Sequence, residues 1–213
     1  MSSSRRPVGV VLAGGASRRM GRDKATLPLP DSTRGLDLLS WSIERLRGVC
    51  PDIAIADGGR GLGVDLGVPS VEDGPGRGPA AGILGAHRAF PGRALLVLAC
   101  DLPLIPVEFL RELASAAPGP AWVVPARGER LEPLCALYRP RALAQLKARV
   151  FGQRFDLQGL RGALGADARV LDAAVWQASE GAASLFLNVN RPEDVEALAA
   201  VRRDCLRRGS SSR

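Results

Sequence analysis

The chain is poor in histidine, lysine and asparagine. Among 213 residues it has one histidine (His87), two lysines (Lys24 and Lys147) and two asparagines (Asn188 and Asn190). The single histidine sits in GILGAHRAF, which reads as a plain helix, so Ser-His-Asp or Cys-His catalysis has little support. The four cysteines, Cys50, Cys100, Cys135 and Cys205, form no CxxC pair, and this speaks against a zinc site. Aromatic residues are only 4% and are not interleaved with basic ones, so no stacking platform for single-stranded nucleic acid is visible. The longest apolar runs, such as Ala94–Cys100, are too short to span a bilayer. No apolar stretch of signal-peptide length precedes the first glycines. A cytoplasmic location with reduced, mostly buried thiols is the expectation.

What the chain does have is arginine, glycine and alternation. Its 29 basic residues outnumber 22 acidic ones, for a net charge of +7. Such a balance suits phosphorylated small molecules or nucleic acid. Short apolar runs at Val8–Ala13, Asp52–Ala56, Ala94–Ala99 and Ala121–Pro125 read as strands, with further candidates at Leu134–Tyr138, Arg169–Leu171 and Leu185–Val189. Helical spacing covers Asp37–Arg47, Pro79–Ala89, Pro106–Ala117, Pro140–Arg149 and Pro192–Arg203. Strands alternating with helices predict a three-layer, Rossmann-like α/β domain around a mostly parallel sheet, spanning residues 1–203. Residues 204–213 read as a basic, frayed tail. Sheets of this kind bind ligands beyond the carboxyl ends of their strands.

The first strand runs into LAGGASRRMGRDKA, Leu12 to Ala25. This is neither GxxxxGK[ST] nor GxGxxG, so neither the ATPase loop nor the dinucleotide fingerprint is present. Gly14 and Gly15 let backbone N–H groups approach an anion, and Arg18, Arg19 and Lys24 can offset its charge. The plainer alternative is a glycine turn with solvated arginines. Lys24 favours the first reading, because a chain that otherwise uses arginine places one of two lysines here, and a compact ammonium fits where a planar guanidinium does not. Asp101 follows the most apolar run at its carboxyl end, where a carboxylate can hold Mg²⁺; the alternative is a turn aspartate before Pro103. Asn188 and Asn190 are two apart, so on a strand they would share a face. Asn190 also suits a helix cap before Pro192.

LAGG-A-S-R-R-M-G-R-D-K resembles the signature of the molybdenum cofactor guanylyltransferase family, within the sugar-phosphate nucleotidyltransferase-like superfamily. GPAAGILGA, LACDLPLIP, LEPLCALY and FLNVNRPEDVEAL resemble further family segments in the same order, from Val8 to about Leu198. The resemblance implies a nucleotidyltransferase fold and transfer of GMP from GTP to the terminal phosphate of the molybdopterin cofactor, with Mg²⁺ as cofactor. It implies that Leu12, Ala13, Gly14, Gly15, Lys24, Asp73 and Asp101 bind nucleotide. Arg19, Lys24 and Asp101 would be catalytic, with Asp101 the metal ligand. It implies Asn188, Asn190, Arg154 and Arg161 for the acceptor; each arginine is alternatively a surface residue, and Asp73 a loop residue. Partners would be GTP, molybdopterin, and molybdenum-cofactor delivery proteins or apo-molybdoenzymes, with no membrane and no nucleic acid.

Guanylyl members tend to read LAGG and cytidylyl members LAAG, so Gly14 leans towards guanine. Two departures stand out. Ile55-Ala56-Asp57 occupies a position where the family commonly has a base-contacting asparagine. After Leu29 the chain reads PDSTRGLDLLSWSIERL rather than a short turn and G-x-P-L-L, so residues 30–37 could reshape the nucleotide entrance. Two alternatives remain: a relative using CTP or another acceptor such as a sugar or lactyl phosphate, and a non-catalytic nucleotide- or nucleic-acid-binding protein on the same fold.

Overall fold

The structure is a computed structural model. It describes residues 6–14, 24–30, 32, 34–115, 119–172, 185–190 and 192–210, without the side chains of 192 and 203–210. Strand β1, Val8–Leu12, is buried at all five positions. It is paired in parallel on one side with β2 (Asp52–Ala56) and on the other with β4 (Leu95–Ala99). The short β3, Ser70–Val71, extends the sheet beyond β2. Both faces of these strands are covered, which explains runs such as VGVVL and LLVLA that are apolar throughout rather than alternating.

The other half of the sheet changes direction. Strand β7, Cys135–Tyr138, is antiparallel to β4 and to β5, Trp122–Arg127. The short β6 (Arg130–Leu131) returns along β5 as a hairpin, and β8 (Ala168–Asp172) lies parallel to β5. The order is β3-β2-β1-β4-β7-β5-β6, with β8 also on β5. The expected parallel sheet is thus found at its core, with one reversed strand separating β4 from β5. Sequence patterning does not reveal that reversal, because a buried strand has the same composition in either direction.

Among the described residues, six α-helices flank the sheet: α1 (Leu38–Arg47), α2 (Pro79–Ala89), α3 (Val107–Ser115), α4 (Pro140–Phe151), α5 (Leu160–Leu164) and α6 (Pro192–Ser210). Asp37 caps α1 by accepting a hydrogen bond from Ser40 N at 2.7 Å, and Leu38, Leu39, Ile43 and Leu46 form its buried stripe. Helix α2 begins with Gly78 at the cap and Pro79 in the first turn. It packs unusually close to the chain beneath it: a Cβ on Gly85 would lie 2.0 Å from Glu72 O. Trp122, Tyr138, Phe109 and Phe186 are fully buried between the layers, each burial worth roughly 1.5–3 kcal/mol or more.

One expectation is corrected. Leu185–Val189 is not a strand; it forms a turn and then an irregular segment in which Val189 N donates to Asp101 O at 3.0 Å. Helix α6 extends to Ser210. A second, small cluster of Leu29, Leu38, Val189 and Leu198 joins this final segment to the stretch around residues 30–37.

Candidate active site

The carboxyl ends of β1, β2 and β4 open onto a cleft of about 340 Å³. Its nucleotide-loop side is Leu12, Ala13 and Gly14; Ala56 follows from β2, and Ala99, Cys100 and Asp101 from β4. Asp73 from the loop after β3, Gly78, Pro79 and Gly82 from the start of α2, and Leu134 just before β7 close it. This is the edge at which parallel sheets place ligands, because the strands end there and the loops diverge.

Gly14 is exposed at the rim. Among the described residues, a Cβ there would touch only Ala56 O, at 3.6 Å. Backbone packing therefore does not require glycine at this position; what a side chain would fill is the cleft. The corner is braced from behind: Ala13 N donates to Ala56 O at 3.0 Å, and Arg60 donates through Nη2 to Ala13 O and through Nε to Asp57 O.

Lys24 begins a 3-10 turn, Lys24–Thr26. Its Nζ donates to Asp101 Oδ2 and to Asn190 Oδ1, each at 2.6 Å. Three residues separated by up to 166 positions therefore meet at one point. Asn190 is held in turn through its backbone N–H, which donates to Asp194 Oδ2 at 2.7 Å in the first turn of α6. Asp101 Oδ1 is buried and has no hydrogen-bond partner. A buried carboxylate oxygen left unsatisfied is costly, and its presence at a ligand cleft fits a cation that arrives with a substrate. Among the described residues no group of three or more His, Cys, Asp or Glu could form a protein-only metal cage. This suits a hard cation bound by one carboxylate together with substrate phosphates.

The structure brings together Leu12, Ala13, Gly14, Lys24, Asp73 and Asp101 in the cleft lining, with Asn190 joined to them through Lys24. Asn188 lies two residues away, on the same segment as Val189 and its bond to Asp101 O. Arg154 and Arg161 are exposed, on the segment after α4 and on α5, and neither lines the cleft. Gly15 and Arg19, with Arg18 and Arg22, fall outside the described residues.

The two departures also acquire positions. Asp57 is buried and turned into its own loop, accepting from Gly59 N at 3.0 Å and from Leu62 N and Ser70 Oγ at 2.9 Å. Its carboxylate therefore shapes the β2–β3 connection, while Ala56 faces the cleft. None of the described residues among 30–37 lines the cleft. Sequence reading missed the bracing by Arg60, for which no local pattern exists, and the hold of Asp194 on the Asn190 backbone.

A family model described as the MobA-like NTP transferase domain matches residues 9–170. A molybdenum cofactor guanylyltransferase from Cereibacter sphaeroides is 35% identical over 196 residues, covering 88% of this chain and 92% of that protein. One of the same name from Shewanella woodyi is 30% identical over 198 residues, covering 89% and 94%. The crystal structure of molybdopterin-guanine dinucleotide biosynthesis protein A from Archaeoglobus fulgidus superposes with a TM-score of 0.75 at 22% identity, over 92% of this chain and 99% of that one. Matched over most of its length by the family model and by full-length relatives, this chain belongs to the family of MobA-like NTP transferase domains.

Proposed function

We propose that the protein transfers GMP from GTP to the terminal phosphate of molybdopterin, releasing pyrophosphate. The observation that carries this reading is the convergence of Lys24, Asp101 and Asn190, which ties the glycine loop, the carboxylate at the end of β4 and the asparagine segment into one centre. The relatives bearing the guanylyltransferase name, and the bare Gly14 at the rim where a larger base has room, support guanine as the base.

The chemistry asks little of acid–base groups. An oxygen of the acceptor phosphate attacks the α-phosphorus of GTP, the bond from that phosphorus to the β-phosphate oxygen breaks, and pyrophosphate leaves with its electrons. The attacking oxygen is already anionic, so a cleft lining without His87 is no obstacle. The difficulty is to hold two polyanions in line, and positioning with fixed charge meets it. Lys24 supplies an ammonium between the two substrates. The backbone at Ala13 and Gly14 lets the triphosphate approach closely. Asp101 is the residue that would hold the divalent metal, Mg²⁺ in this reading, through the oxygen left unpartnered. When bound, that ion would offset phosphate charge and help align the reacting groups.

Pyrophosphate release from Mg²⁺·GTP, measured with and without molybdopterin, tests the proposal. Release that depends on both supports it. Release with CTP and not GTP, or with GTP regardless of acceptor, overturns it.

A further inference from the structure

Glu132 is one of three buried polar or charged residues among those described, with Ser42 and Asp57. Ser42 donates its hydroxyl to Leu38 O, and Asp57 ties down its own loop. Glu132 instead accepts, through Oε1, a 2.6 Å hydrogen bond from Arg127 Nε. A buried carboxylate is retained at a cost unless a partner offsets it, and neither member of this pair is in the lining of the nucleotide cleft.

Arg127 ends β5. Because β7 is antiparallel to both β4 and β5, the last two run the same way, and Arg127 emerges at the same sheet edge as Asp101. Its guanidinium carbon stands 5.7 Å from the centroid of the Phe186 ring. Phe186 is itself fixed edge-on against Phe109, with centroids 6.0 Å apart, and precedes Asn188 by two residues. The hairpin after Arg127 is clamped as well: Leu131 N donates to Gln158 Oε1 at 3.2 Å and Gln158 Nε2 donates to Leu131 O at 2.9 Å. The guanidinium is thus held along one edge and over one face. Its side chain is 37% exposed, and among the described residues Nη1 and Nη2 have no hydrogen-bond partner.

An arginine gripped through Nε alone presents the rest of its planar fork outward. Its charge is already offset by Glu132, which suits it to the uncharged edge of a ring better than to a transferring phosphate. Position agrees. The cleft residues Gly14 and Ala56 belong to the β1–β2 side, Asp101 to β4, and Arg127 to β5 on the far side of β7. A nucleotide base near Gly14 and Ala56 and a ring near Arg127 would therefore flank the reacting phosphates from opposite sides.

We propose that Arg127, held by Glu132, selects the heterocyclic end of the acceptor by donating its two terminal amino groups to an oxo group and a ring nitrogen on the edge of a flat pterin-type ring. This assignment rests on the acceptor named under the proposed function. Guanidinium forks read the paired acceptors of purine edges by the same geometry.

The test uses the full chain and two variants. Arg127→Met keeps the apolar stem over Phe186 and removes the fork; Arg127→Lys keeps the charge and the ion pair with Glu132. Both are expected to raise the KM for molybdopterin about tenfold or more while kcat at saturation stays within about threefold and the Kd for Mg²⁺·GTP is unchanged. A wild-type acceptor KM in either variant overturns the assignment, as does an equal loss of GTP affinity. A direct titration of molybdopterin into each protein without GTP, followed by fluorescence, is read alongside: weaker binding by both variants supports the role, and equal binding overturns it. If the wild type binds molybdopterin in this titration yet releases no pyrophosphate from GTP, the proposed reaction fails while the role of Arg127 is still decided.

Discussion

Lys24 Nζ lies 2.6 Å from Asp101 Oδ2 across 77 positions of sequence, with both side chains about one-fifth exposed. The pair joins the nucleotide loop to the carboxylate at the end of β4, and the same ammonium reaches Asn190. Asp101→Ala and Lys24→Ala are each expected to reduce pyrophosphate release by about 10²–10³-fold, the usual loss when one preorganised electrostatic group is removed. Stability should change little, since a partly exposed ion pair contributes about 0–1 kcal/mol. Wild-type turnover in both variants, with the fold intact by circular dichroism, would sink the site assignment.

Two glycines should respond oppositely to one methyl group. Among the described residues Gly14→Ala meets only Ala56 O, at ordinary contact distance, so its melting temperature should stay within about 2 °C of wild type. Its KM for GTP should rise by about tenfold, as crowding at a base pocket typically costs. Gly85→Ala drives a Cβ against Glu72 O, and overpacking of this kind costs about 1–3 kcal/mol or more. Thermal melting and GTP kinetics on the two proteins separate a glycine kept for the ligand from one kept for packing.

Burial pushes the Cys50 thiol up to about 12, opposed by Arg93, and pushes the Cys135 thiol up as well. Both should resist a disulfide-exchange reagent at pH 8 in the native protein and react on unfolding, because the thiolate is the reactive form. Rapid labelling of either in the folded state would contradict this. The stability consequence has a definite sign. The folded thiol of Cys50 keeps its proton where the unfolded one, near about 8.5, loses it, so stability is full below that value and declines as pH rises towards about 12. Cys50→Ala should flatten the decline.

His87 behaves in the opposite sense. Desolvation, and then the charge of Lys147, lower its pKa in the folded protein. The unfolded chain therefore binds the proton more readily, and stability is present above the ordinary histidine value of about 6.5 and lost as pH falls below it. Melting temperatures of wild type and His87→Gln measured from pH 7.5 to 5 should diverge on the acid side. Parallel curves would show that His87 does not contribute to acid sensitivity.

Much of the nucleotide half was legible in sequence because it is built from contiguous signals. Val8–Leu12 is an unbroken buried strand, Gly14 and Lys24 follow within one loop, and Asp101 comes directly after LLVLA. The acceptor half was harder. Leu185–Val189 has strand composition, yet its backbone pairs with the turn at Asp101 instead of a strand, so local propensity pointed the wrong way. Arg154 and Arg161 are assigned by resemblance to the acceptor side, with a surface position as the alternative; both are exposed and outside the cleft lining. The bond from Lys24 to Asn190 depends on how α6 packs through Val189 and Leu198 onto Leu29 and Leu38, a long-range arrangement with no local signature.

The reversed strand β7 has a consequence for how such a protein can change over time. The strands on one side of β4 are parallel and carry the glycine loop, while β5, β6 and β8 join the sheet through the antiparallel strand β7 and contribute the Arg127 hairpin. The β1–β2 and β1–β4 pairings themselves use no residue beyond β7. On the proposed assignment, the side that takes the acceptor and the side that takes the nucleotide are built from different strands, and a change of acceptor asks for changes around β5 rather than around β1.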